Sequence, residues 1–198
     1  MQYPVFYDTI EGIDMYDPLA EALGAFENGR VHFSYLDVVK SAGHSCPTIA
    51  GAYLMVREGL KALYGDEIPP RGNIKVFFKE AQAEGTTGVI ANVFSLITGA
   101  TDIWGFKGIN GAYNRTGLMA FHAEITCAVC MQRLDTMQCV DMTYTPNIIE
   151  IEASLSTLMQ KFFQHTLSAS EKVTFQTLWQ QRVAKILENF DKVTQIAS

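Results

Sequence analysis

The stretch Ser41-Ala42-Gly43-His44-Ser45-Cys46-Pro47-Thr48 stands immediately before a long apolar helical pattern, and its reading sets the fold. Proline is pre-set for the first position of a helix, so Cys46 is expected as the N-cap and Pro47 as the first helical residue. Small residues come first in that helix (Ala50, Gly51, Ala52), then Leu54, Met55, Leu60 and Leu63. Small side chains near the start let other backbone pack close, as a central helix needs. Gly65, Pro69, Pro70 and Gly72 close it. At the N-terminus of a helix the orphan N–H groups and the dipole favour a thiolate over a thiol. A thiolate beside an imidazole suits two tasks, binding a soft or borderline metal and acting as a nucleophile. A buried cysteine in a helix-capping loop is the plainer alternative.

Working outward, Phe6–Ile13 reads as a short strand and Asp17-Pro18 as the capped start of a helix running through Phe26, ended by Asn28-Gly29. Val31–Tyr35 either alternates like a strand or leads into a short helical piece, Leu36–Ser41. Downstream, Ile74–Lys79 is a strand. Thr87–Ile97 is a buried helix with Ile90, Val93, Phe94 and Ile97 at helical spacing and Gly99 as its stop. Leu118–Cys130 and Met137–Tyr144 read as two strands of a hairpin turning near Leu134-Asp135-Thr136. Ile148–Gln164 and Ser170–Val193 read as helices. Segregated helices and antiparallel strands predict an α+β fold, an antiparallel sheet with helices on one side and a central helix starting after the His-x-Cys-Pro turn. No repeat or linker divides the chain, so one domain is expected over residues 1–198, with a core over about 30–145 and C-terminal helices over about 148–195.

The 198 residues are 48% hydrophobic and only 18% charged, a folded composition whose shortage of charge points to further buried surface, most simply a homodimer interface. A net charge of −6 with no local basic cluster argues against nucleic acid. The longest uncharged run, Gly85 to Thr101, is broken by Gly, Ser and Asn and reads as core rather than a membrane span. No secretion signal is visible, and Cys46, Cys127, Cys130 and Cys139 read as thiols or ligands rather than a disulfide framework. The cytoplasm is the expected location.

Tetrahedral zinc takes four ligands, or three and a water. Beyond His44 and Cys46, a regular strand over Leu118–Cys130 would place His122, Glu124, Thr126 and Cys130 on one face and Cys127 on the other. His122 is therefore a candidate third ligand. Cys127 or Cys130 would chelate only at a bulge or tight turn and otherwise be buried thiols, and Cys139 might oppose Cys130 across the hairpin. The loop Phe106–Arg115 carries Lys107, Asn114 and Arg115, which suit an anionic carboxylate or phosphate, although it matches no P-loop or dinucleotide pattern. A solvated loop with two surface cations is the alternative. Glu80 and Glu84 offer a general base or are simply solvated.

Asp37-Val38-Val39-Lys40-Ser41-Ala42-Gly43-His44-Ser45-Cys46-Pro47, followed by Ala50-Gly51-Ala52-Tyr53, resembles the opening of the FmdE-like family, named for a component of formylmethanofuran dehydrogenase. That family reads His-Gly-His-x-Cys-Pro-Gly before a helix with a Gly-Tyr pair. Ile97-Thr98-Gly99-Ala100-Thr101 resembles its Leu-Thr-Gly-Cys-Thr, and Gly117-Leu118-Met119-Ala120-Phe121 its Gly-Lys-Met-Ala-Phe strand. The likeness runs from about Asp37 to Tyr144. The family's first histidine falls on Ala42, its mid-chain Cys on Val89, the following Asp and Gln on Asn92 and Ser95, and a further Cys on Ala100. The resemblance implies an α+β core, dimerisation and zinc or another transition metal near the His-x-Cys turn. It does not imply formylmethanofuran chemistry.

Together these readings predict a metal-binding protein that uses His44 and Cys46. Zinc is favoured, with iron, nickel or copper also fitting. As an enzyme it would use Lys107 or Arg115 to orient an anionic substrate. The alternatives are a metal-trafficking or accessory protein, a metal-free ligand- or protein-binding module on the same fold, and a reactive Cys46 without metal.

Overall fold

Residues 2–197 are described by a computed structural model of the chain, so Met1 and Ser198 lie outside the described residues. Along the chain come β1 (Ile13–Tyr16), α1 (Pro18–Ala22), β2 (Arg30–Phe33), α2 (Tyr35–Ala42), α3 (Pro47–Tyr64), β3 (Ile74–Phe78), α4 (Thr87–Thr98), β4 (Met119–Ala120), β5 (Val129–Arg133), β6 (Cys139–Tyr144), α5 (Ala153–Phe163), α6 (Ala169–Glu188), α7 (Phe190–Val193) and β7 (Thr194–Ala197). This is an α+β fold. β1 and β2 form an antiparallel pair, and a second, five-stranded sheet runs in the order β4-β3-β5-β6-β7.

The larger sheet is mixed rather than purely antiparallel, because β4 lies parallel to β3 through Val76↔Met119 and Phe77↔Ala120. A parallel neighbour needs a crossover, and α4 supplies it. The register aligns Val76, Met131 and Val140, and then Phe78, Val129 and Met142, on one face of the sheet. All six are buried. α3 and α4 cover that face: the Gly59 backbone of α3 sits against Met131 and Met142, and Phe94 of α4 meets Phe78 edge-on at 5.6 Å. Alternation with period 2 under a 3.6-residue helical stripe is what makes this interface close.

Several expected elements are corrected. Phe6–Ile13 is not a strand: Val5–Thr9 form a 3-10 turn that buries Tyr7 against Tyr35, and the strand begins at Ile13. The helix at Pro18 ends at Ala22, short of Phe26. Leu118–Cys130 is not one strand. Met119–Ala120 pair with β3 and Val129–Cys130 open β5, while the chain between them crosses the end of β3, with the His122 amide donating to the Glu80 carbonyl at 3.1 Å and the Ala123 amide to the Phe78 carbonyl at 2.9 Å. His122 has a positive φ of 54°, which no strand allows. The C-terminal β7, paired with β6 through Met142↔Ile196, has no counterpart among the expected elements. No described helix is long and apolar enough to cross a membrane.

Candidate functional site

Ser34 caps α2 with a reciprocal box, accepting from the Asp37 amide at 3.2 Å while Asp37 accepts from the Ser34 amide at 3.0 Å. Gly43 ends α2 in the left-handed region (φ 76°), its N–H donating to the Val39 carbonyl at 2.9 Å. Four residues later α3 begins at Pro47 with Cys46 as its N-cap, and the Cys46 Sγ accepts from the Ile49 amide at 3.5 Å. The turn between is held from distant parts of the chain. Trp179 Nε1 and Gln180 Nε2 of α6 both donate to the Ser45 carbonyl, at 2.9 and 3.4 Å. Tyr35 Oη and Ser45 Oγ are hydrogen-bonded at 3.0 Å, and Tyr144 Oη donates to the Pro47 carbonyl at 2.6 Å. Burial pushes both phenols well above their ordinary range, so each stays protonated at neutral pH and able to donate.

Beside this turn, α4 runs past α2 and leaves a cleft of about 370 Å³. Its deepest walls are Val38, Ile49 and Val93, all buried. Ser41 and His44 border it on one side, Asn92 and Ser95 on the other, with Val89, Leu96, Ala42 and Trp104 completing it. Val89, Asn92, Val93 and Leu96 recur at i, i+3, i+4 and i+7, so they form one stripe of α4. A volume of about 300–1,000 Å³ with an apolar base and a few polar groups is the usual form of a small-molecule site. Asp, Glu, Lys and Arg are all absent from the lining.

The expected site residues fall in several places. His44 lines the cleft and is exposed, its Nδ1 against the Ala42 carbonyl at 3.1 Å. Cys46 is half-buried at the α3 terminus and does not line the cleft. His122 lies on the crossing segment past β3, again outside the cleft lining. Cys130 is buried opposite Asp141, and Cys139 pairs with Gln132 rather than with Cys130. Burial and then the Asp141 carboxylate push the Cys127 and Cys130 thiols up, which keeps them protonated. Glu80 and Glu84 are exposed.

Lys107, Asn114 and Arg115 do not converge on an anion site. Lys107 is exposed, and Asn114 is engaged locally, accepting from the Thr116 hydroxyl at 2.9 Å and donating to its carbonyl at 2.8 Å. Arg115 is only 7% exposed. Its Nη2 donates to Asp17 Oδ1 at 2.8 Å, and Arg71 Nη1 donates to the other Asp17 oxygen at 2.6 Å. The guanidinium is wedged where a Cβ on Gly72 or Gly99 would come within 2.5 or 2.8 Å of Nη1. Arg115 therefore anchors its loop to the N-terminal segment, a structural task.

Among the described residues no three His, Cys, Asp or Glu side chains are grouped so as to hold a metal ion. Around His44 the cleft offers Ala42, Val89, Asn92 and Ser95, none of them an ordinary zinc donor. The residues present do not fit a zinc centre. Sequence reasoning misses Ser41, Trp104 and Leu96; the α4 stripe Val89-Asn92-Val93-Leu96 is the available signal. No family model matches the chain, and comparison with curated proteins finds no significant relative.

Proposed function

We propose that this chain is a binding module that holds a small organic ligand in the cleft between the α2–α3 turn and α4. The observation that carries this reading is a coincidence of position. The family resemblance marks seven positions, of which Ala42, His44, Val89, Asn92 and Ser95, spread over some fifty residues of sequence, line the same cleft, while Cys46 and Ala100 stand outside its lining. Donor residues of that family are replaced there by apolar and neutral polar side chains, which suits an organic ligand better than an ion. The turn that carries His44 is fixed by four hydrogen bonds, three of them from α6 and β6 far along the chain, so little ordering is left to be done on binding.

Small-molecule mass spectrometry on the purified chain tests this directly. Wild type is expected to retain an organic species that Ser95→Trp, which fills the cleft, does not. Near-stoichiometric zinc or iron in wild type, lost in both His44→Ala and Cys46→Ala, would overturn the reading in favour of a metal centre.

A further inference from the structure

The chemistry of the cleft walls narrows its ligand. A carboxylate, phosphate or ammonium group placed against Val38, Ile49 and Val93 would shed water without meeting a permanent opposite charge, His44 at the exposed edge being the one titratable side chain of the lining. The nearest sequence candidates for an anion partner are engaged or turned away, with Arg115 buried on Asp17 and Lys107 outside the lining. A ligand without net charge meets these walls at the least cost.

Its polarity is also one-sided. Val38, Ile49 and Val93 give the base of the cleft no hydrogen-bonding side chain. A sugar, with hydroxyls around its whole ring, would leave some of them unpaired there. Polar groups sit along the edges instead. Asn92 and Ser95 stand one turn apart on α4 with Ser41 opposite; Asn92 and Ser41 are exposed, Ser95 is half-buried, and all three present their polar atoms at the edge of the cleft. An asparagine amide presents one acceptor and a donor pair side by side, the complement of another amide's edge. Trp104, half-exposed at the cleft, supplies a flat indole surface on which a planar ring can stack.

We infer that the cleft selects a neutral, planar aromatic ring bearing a carboxamide-type edge, with Asn92 pairing the amide, Ser95 or Ser41 taking its remaining group, and Trp104 stacked on the ring. This rests on the proposed reading of the cleft as an organic-ligand site. The probes are benzamide, benzoate, cyclohexanecarboxamide and methyl β-glucoside, titrated into the full chain while NMR follows the Trp104 indole N–H and the Asn92 side-chain amide. Benzamide is expected to shift both signals saturably, and benzoate and cyclohexanecarboxamide to bind at least about tenfold more weakly. Asn92→Leu, which keeps volume and removes the amide, is expected to lower benzamide affinity about tenfold with the fold intact by its amide spectrum. Benzoate or the glucoside matching benzamide, or Asn92→Leu binding it unchanged, would overturn the ligand class and leave the cleft as the site. No shift at cleft residues with any probe, together with no organic species retained by wild type, would overturn both.

Discussion

The indole nitrogen of Trp179 donates to the carbonyl of Ser45 at 2.9 Å, across 134 residues of chain. That bond ties α6 to the turn from which α3 starts. Trp179→Phe keeps an aromatic ring in place and removes the donor, leaving Ser45 the longer Gln180 bond at 3.4 Å. Urea unfolding is expected to show a loss of about 1 kcal/mol. An unchanged midpoint would mean that Gln180 and the two tyrosines hold the turn without it.

Gly51 is where α3 meets β6. A Cβ there would lie 2.3 Å from the Tyr144 ring, whose hydroxyl holds the Pro47 carbonyl. Gly51→Ala must push that ring away and is expected to cost about 1–3 kcal/mol despite the better helix propensity of alanine. Thermal melts of Gly51→Ala, Tyr144→Leu and the double variant should be markedly non-additive, since both changes act on one contact.

Asp17 caps α1 through the Leu19 and Ala20 amides and collects two guanidiniums. Burial alone would raise its carboxyl, but the Ala20 amide, Arg115 and Arg71 outweigh it and hold the group below its usual range. A lowered carboxyl contributes fully above the unfolded value near about 3.9 and loses that contribution as pH falls through the folded value. Asp17→Asn should therefore destabilise the chain at neutral pH by about 3–5 kcal/mol. It should also flatten the acid limb of a Tm-against-pH series below about pH 4. An equally steep limb in the variant would assign acid sensitivity to other carboxylates.

Cys46 is an N-cap whose sulfur accepts a long bond from Ile49. Serine is the better capping residue, so Cys46→Ser is expected to match or exceed wild-type stability, and Cys46→Ala to lose about 1 kcal/mol. Denaturant curves for the pair check this; equal losses in both would show that the thiol matters by its packing and not by its bond.

What the sequence makes legible is local chemistry. Cys46-Pro47, Asp17-Pro18, Gly65 and Gly99 each mark a helix end by a rule that needs only a few neighbours, and all four stand at helix ends in the fold. Residues Phe121 to Cys127 alternate apolar and polar side chains as a strand would, yet they cross the end of β3 with Phe121 stacked on Phe78 at 5.1 Å. Alternation reports one covered side, and the end of a strand can cover it as well as a ladder. Arg115 reads as a loop cation because its partner, Asp17, is 98 residues away. The cleft is half visible: its positions are marked, but the stripe on α4 reads as core, since only the tertiary approach of α2 shows that one edge of it stays open.

Arg115 between Gly72 and Gly99 also carries an evolutionary consequence. Each glycine is held twice over, by a positive φ (82° and 74°) and by the guanidinium in the space a methyl group would need, and Asp17 shares its charge with that guanidinium and with Arg71. The four positions form one unit of inheritance. A lineage that loses the arginine lifts one of the two constraints on each glycine and leaves Asp17 its helix cap and Arg71, whereas one that keeps it should hold all four together, however far its cleft has diverged.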